Sequence, residues 1–306
     1  MGCMYDIRDD VMTCSVCGYS EKQAKIENEL CKERLPVETI LDGRYILGRL
    51  LSFTDFSFIY NAWDALLEMH VAIREYFPSM FAFRNNGETD IRYFDLECKD
   101  RFEVGQGFFE SDAQKLFLIQ SMDEVPDYYR IIRANNTSYI VMEYLKGITL
   151  EDFVVSGKAD QQWSSRNTLN RIRTALDQLH QKGVLHLNLS PDNIYLCDGG
   201  RICLIDQGGA KAEVYRATGC ESAFYQNDFI APEVIHGEKG TRESDLYSMG
   251  CICYYLLTGN DPKRSNLKSL KGLSDKKSDM AKMIKSLTNI KPEQRVIPVD
   301  KVNSRR

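Results

Sequence analysis

Cys14-Ser15-Val16-Cys17, followed by Gly18, are the first residues whose types and spacing could do chemistry. Two thiolates at this spacing, with a glycine to let the chain turn, form one knuckle of a zinc ribbon. One knuckle is half a tetrahedral site. Cys3 offers a third thiolate and Cys31 a fourth; Met1-Gly2-Cys3-Met4 also reads as the tail of a second knuckle whose first cysteine lies upstream. A redox dithiol is the lesser alternative, because no βαβ pattern surrounds the pair, and an unmetallated segment stays open too. Lipidation at Gly2 or Cys3 is set aside, since Asp6 stands where a myristoylation signal needs Ser or Thr. Cys98, Cys197, Cys203, Cys251 and Cys253 sit among apolar neighbours and read as small buried residues.

The cysteine-bearing segment covers residues 1–35 and ends at Leu35-Pro36, where proline marks a boundary. Alternating, β-rich runs follow at 44–48, 58–60 and 70–74, and a hairpin is signalled by 131–134, the turn Asn135-Asn136-Thr137, and 138–144. Beyond Gly147 the pattern turns helical, with stretches at 167–181 and 244–257 and short strands near 193–196 and 202–205. A β-rich first part and a helical second part predict an α+β chain of two lobes. The composition, 43% hydrophobic and 27% charged over 306 residues, suits an ordinary globular chain. A net charge of -5 without a basic run offers no nucleic-acid face. The longest apolar stretch, 251–257, is far short of the roughly 20 residues of a membrane span. With no secretory signal at the start, the cytoplasm is the expected compartment.

Five segments in one order carry a resemblance: His70-Val71-Ala72-Ile73-Arg74-Glu75, Ile140-Val141-Met142-Glu143-Tyr144, His186-Leu187-Asn188-Leu189-Ser190-Pro191-Asp192-Asn193, Asp206-Gln207-Gly208 and Ala231-Pro232-Glu233. Together they resemble the serine/threonine protein kinase family. Asp245-Leu246-Tyr247-Ser248-Met249-Gly250 is similar to the anchor of that family's central C-lobe helix, and Arg295 is placed like the arginine that pairs with Glu233. Arg74-Glu75-Tyr76-Phe77-Pro78 looks most like bacterial members, some of which carry an N-terminal zinc ribbon. The resemblance implies a kinase-like domain over 41–306, with an N-lobe to about 145 and a C-lobe from about 146.

Phosphoryl transfer needs a phosphate cradle, a lysine held by a helix glutamate, metal ligands and a carboxylate base. The place of the glycine-rich cradle is held by Ser52-Phe53-Thr54-Asp55-Phe56-Ser57, which has no glycine. Ser52, Thr54 and Ser57 are the nucleotide-contact positions the resemblance implies in this hairpin; side chains at Ser52 and Thr54 limit backbone approach to phosphates, and Asp55 adds negative charge. Arg74 replaces the strand lysine, and Asp112 stands where the helix glutamate belongs, with Glu110 as the alternative. Arg74 and Asp112 are expected to form an ion pair at about 3 Å. Ala72, Met142, Glu143 and Tyr144 are the further nucleotide contacts the resemblance implies. Asn188 replaces the catalytic aspartate; an amide has no usable basicity, which removes a contribution of about 10²- to 10⁴-fold. Leu187 replaces the arginine that would read a phosphorylated loop. Asn193 and Asp206 match the two Mg²⁺ ligands, or else brace and cap turns. Gln207 replaces a packing phenylalanine and needs a partner if buried. His186 and Leu116 match positions of the hydrophobic spine, with His186 structural.

These departures point to a pseudokinase that acts as a scaffold or allosteric partner of other proteins. The alternatives are a weak serine/threonine kinase using ATP and Mg²⁺, and a nucleotide sensor without transfer. ATP, Mg²⁺ and, at the N-terminal segment, Zn²⁺ are the candidate cofactors.

Overall fold

The computed structural model describes residues 31–117, 119, 122–157, 163–207 and 228–297, with the single positions 20, 22, 26, 29, 213 and 217. The chain divides into two compact units, residues 1–121 with 126–145, and residues 122–125 with 146–306.

The first unit is built on a six-stranded antiparallel sheet. Its strands are β1 (Ile40–Leu41), β2 (Tyr45–Phe53), β3 (Ser57–Asp64), β4 (Met69–Tyr76), β7 (Tyr128–Ala134) and β8 (Thr137–Glu143), in the order β1-β2-β3-β4-β8-β7. A small ribbon, β5 (Ala82–Phe83) with β6 (Arg92–Tyr93), lies between β4 and the first helix in sequence. The β7–β8 turn is two residues, Asn135 and Asn136, at φ 53° and 60°. Both take the left-handed conformation that such a hairpin demands and that asparagine tolerates.

Helix α1 (Leu96–Phe117) begins six residues before its hydrophobic repeat does, because Asp95 Oδ1 accepts the Cys98 N–H at 2.7 Å. Phe102, Phe109 and Leu116, seven residues apart, line its buried face. Tyr76 packs on Phe102 and Phe109, at centroid distances of 4.8 and 5.3 Å.

Side chains alternate across the sheet, so Arg74 and Glu75 of β4 face opposite ways. On the Glu75 side lies a buried polar cluster. Arg84 pairs with the Glu75 carboxylate, which also accepts Tyr60 Oη at 2.8 Å and Tyr139 Oη at 2.9 Å. Arg84 further donates to the carbonyls of Thr89 and Glu33, at 2.9 and 2.8 Å, while the Leu35 N–H donates to Tyr60 Oη at 3.0 Å. The chain entering the sheet is thereby stitched to its underside.

The second unit is mainly helical: α2 (Leu150–Val155), α3 (Ser165–Gln181), α4 (Pro232–Ile235), α5 (Arg242–Thr258), α6 (Arg264–Ser269) and α7 (Asp279–Leu287). Helix α5 is buried continuously from Ser244 to Tyr255. A reciprocal cap between Thr241 and Ser244 starts it, and Gly259 at φ 65° ends it. Gly250 lets α5 and α7 approach, since a Cβ there would lie 2.7 Å from the Leu287 Cβ. The small sheet runs β11-β10-β9, with β9 (Gly147–Thr149), β10 (Ile194–Cys197) and β11 (Ile202–Leu204). Residues 122–125 brace it: Glu124 O accepts Leu204 N–H at 2.8 Å, and Asp123 O accepts Arg201 Nε at 2.6 Å. The expected Glu233–Arg295 pair is formed, buried and bidentate, at 2.5 and 2.7 Å.

Candidate functional site

In the first unit, the β2–β3 hairpin fills its own turn. Thr54 Oγ1 accepts the N–H groups of Phe56 and Ser57, each at 3.2 Å, and the Thr54 N–H donates to Ser57 O at 2.9 Å. Phe56 is buried and packs edge-on to Tyr76 at 5.2 Å. Its carbonyl accepts Phe77 N–H at 2.9 Å, and Asp55 O accepts Ser79 N–H at 2.9 Å. Backbone donors that an open cradle would turn towards phosphate are engaged by a side chain of the turn itself. Ser52, Thr54 and Asp55 are exposed, and Ser57 is buried.

Ala72 of β4 lies between Asn61 of β3 and Met142 of β8, and Arg74 between Ile59 and Ile140. Ala72, Arg74 and Met142 therefore share one face of the sheet. Glu143 is tied at its N–H to Asp127 O at 2.8 Å, and Tyr144 follows it.

The expected pair of Arg74 with Asp112 is not formed. Asp112 meets Lys115 on its own helix at 2.8 Å. Glu110, the alternative, is held by Arg133 and by Ser138 Oγ, the latter at 2.5 Å. The Arg133 guanidinium, with Ser138 assisting and burial opposing, keeps the Glu110 carboxyl below its ordinary 4.5. Helix α1 instead presents Phe109 to Arg74, whose guanidinium carbon is 5.6 Å from the ring centroid, while Arg74 Nε donates to Ser57 Oγ at 3.4 Å. The seven-residue recurrence of Phe102, Phe109 and Leu116 fixes which face of α1 is buried, and Asp112 lies at its edge. That recurrence was the signal in the sequence, and the family register alone passed over it.

In the second unit, Asp245 near the start of α5 holds the loop that precedes β10. Its carboxylate accepts the N–H groups of His186 and Leu187 at 2.9 and 2.7 Å, and His180 Nε2 lies 2.7 Å away. Leu187 is kept at φ 56°, an uncommon conformation for a bulky residue, and a Cβ on Gly240 would collide with its side chain. His186 is buried, and its Nδ1 accepts Asn188 N–H at 3.3 Å. Burial, the largest influence, holds its imidazole below the ordinary 6.5 against the charges of Asp245 and Asp206.

The structure brings Asn188, Asn193 and Asp206 together. Asn188 Nδ2 donates to Asp206 Oδ2 at 2.9 Å and to Asp206 O at 3.0 Å, and Asn193 Nδ2 donates to Asn188 O at 2.9 Å. Gln207 is buried, and its Nε2 donates to Leu204 O at 3.0 Å, so its amide has a local partner. Cys3, Cys14 and Cys17, together with Gly208, lie outside the described residues. Cys31 is buried, and no cluster of three or more metal-ligating His, Cys, Asp or Glu side chains occurs among the described residues. No helix among them is long and apolar enough to cross a membrane.

The family model described as "Protein kinase domain" matches residues 113–304. The serine/threonine-protein kinase PrkC of Bacillus subtilis (strain 168) is 28% identical over 223 residues, 72% of this chain and 31% of the relative. A probable serine/threonine-protein kinase PknB of Bifidobacterium longum (strain NCC 2705) is 29% identical over 227 residues, 72% of this chain and 31% of its own. The match thus spans just under a third of these relatives' length. Among solved structures, PpkA-294 in its apo form aligns with a TM-score of 0.74 at 24% identity, covering 87% of this chain and 96% of that one, a likeness of fold.

Proposed function

The chain belongs to the protein kinase domain family and has its α+β fold, and from that premise we propose that it is a pseudokinase, a binding or allosteric partner of other proteins in the cytoplasm. The observation that carries this reading is Asn188 at the position of the catalytic base. Its amide has no proton-accepting capacity near neutral pH, and its Nδ2 is turned onto Asp206 rather than towards an incoming hydroxyl. The hairpin closed on Thr54 supports it from the first unit. For the N-terminal segment we propose zinc binding through Cys3, Cys14 and Cys17, with Cys31 completing the site.

A second reading, a slow serine/threonine kinase, is favoured by one observation. The frame beneath the loop is intact, with Asp245 holding His186 and Leu187 and with Glu233 paired to Arg295. Incubation of the purified chain with labelled ATP, Mg²⁺ and generic protein substrates separates the two. Little or no incorporation is expected, and Asn188→Asp recovers little because the hairpin defect remains. Robust labelling that is abolished by Asp206→Ala would establish the kinase instead.

A further inference from the structure

Charge is laid out unevenly along the chain. Residues 262–306 hold 13 of its 39 basic residues and 4 of its 44 acidic ones, so this last stretch carries a net +9 and the 261 residues before it a net -14. The second unit displays the excess on helices α6 and α7 and the turns around them. All nine Lys and Arg side chains between Lys263 and Lys291 are exposed, against two carboxylates, Asp275 and Asp279. Lys282 meets Asp279 at 2.8 Å, and Lys276 donates to Ser269 O at 2.9 Å. None of the other seven cations forms an ion pair among the described residues. Their mutual repulsion is relieved by an anionic surface laid over them.

The layer is firmly mounted. Ala281, Ile284 and Leu287 bury one face of α7 and leave Lys282 and Lys285, one turn apart, outward. Tyr254 Oη of α5 donates to Lys271 O at 2.6 Å, which fixes the turn after α6. Ser286 Oγ donates to Val296 O at 2.7 Å and Arg295 Nε to Asn289 O at 2.8 Å, so the turn bearing Lys291 is tied back to α7. On that turn Ile290 and Val296 stay 55% and 61% exposed.

The make-up of the surface selects among anions. Eight of the nine cations are lysine, a hydrated point charge without the planar fork that arginine brings to phosphate. Residues 262–306 contain no Phe, Tyr, Trp or His, so they offer no platform for bases and no aromatic anchor for a lipid interface. The apolar face of α7 is covered by α5, where Leu287 closes on Gly250, and is not available to enter a bilayer. What suits lysines beside two exposed aliphatic side chains is a polypeptide rich in carboxylates.

We propose that the outer face of α6 and α7 is a docking surface for an acidic protein segment, with its carboxylates on the lysines and its aliphatic side chains on Ile290 and Val296. The inference rests on the reading of the chain as a binding partner and names the chemistry of what it binds.

The test is fluorescence anisotropy of the full chain with a labelled peptide of repeated Glu-Leu-Glu, at about 50 and 300 mM NaCl. Binding should weaken at least about tenfold at the higher salt. The double variant Lys277→Glu/Lys285→Glu should lose about tenfold at low salt, and Ile290→Ser/Val296→Ser about fivefold at both salts. All four positions are exposed or in exposed turns, so each variant should melt with the wild type. Peptide affinity untouched by the lysine variant overturns the proposal. Tighter binding to phosphatidylserine vesicles or to a single-stranded RNA oligonucleotide, lost in that variant, overturns it in favour of lipid or nucleic acid, and salt-sensitive self-association lost in that variant overturns it in favour of a second copy. Phosphate incorporation by the wild type would defeat the pseudokinase reading and leave these affinities as they are, so the two failures are distinguishable.

Discussion

Glu75 and Arg84 are both completely enclosed, at 0% side-chain exposure each, and the two phenols that donate to Glu75 share the enclosure. Burial, with the Glu75 charge second, pushes the hydroxyls of Tyr60 and Tyr139 well above 10, so both remain donors at any physiological pH. Removing one member of such a pair leaves a buried charge with no counter-charge. Glu75→Leu and Arg84→Met should each cost about 3–5 kcal/mol, while the double variant should be far less destabilised than the sum. Urea titration of the four proteins reads this coupling, and additive losses would show that the pair is not the unit. The sequence displayed Glu75 only as part of a familiar phrase. Nothing in the nine-residue separation from Arg84 announced their meeting, which depends on how residues 77–95 fold back beneath the sheet.

Helix α5 shows how one element can serve as both core and anchor. It is buried almost all round, so it carries little amphipathic signal; the stretch 244–257 still read as helical, and the Asp245-to-Gly250 motif gave it its place. Helix α3 was legible by the opposite route, from Leu169, Ile172, Leu176 and Leu179 at helical spacing. The capping role of Asp95 escaped because it precedes the apolar repeat of α1, and Thr54 escaped because an exposed threonine in a turn has no periodicity to read. Asp245→Ala should strand three donors, the N–H groups of His186 and Leu187 and the ring of His180, and lower stability by about 3–5 kcal/mol. Asp245→Asn keeps one acceptor oxygen and should fall between the two. Chemical denaturation checks the order, and an alanine variant as stable as wild type would remove Asp245 as the loop's anchor.

For the molecule as a whole, one contribution to acid stability follows from His186. Its folded-state value lies below the unfolded 6.5, so above that pH neither state carries the proton and the contribution is level. As pH falls below 6.5 the unfolded chain gains a proton that the native state refuses, and stability drops until the native imidazole titrates. Glu110 and Glu233, held below 4.5, give up their own contributions only at still lower pH. Wild type should lose stability between about pH 7.5 and 5.5, and His186→Asn should lose less over the same interval; equal losses would remove His186 as the cause. The two-part layout was readable from the switch between alternating and helical patterning near Gly147, but the excursion at 122–125 was not. Those four residues lie early in the sequence yet belong with the later unit, where Glu124 and Asp123 receive Leu204 and Arg201. Severing the chain between 145 and 146 would therefore not yield an independent second half. A fragment of 146–306 leaves the β11 edge without its acceptor carbonyls, and any graft of this unit into another protein has to carry a four-residue passenger from the far side of the cut.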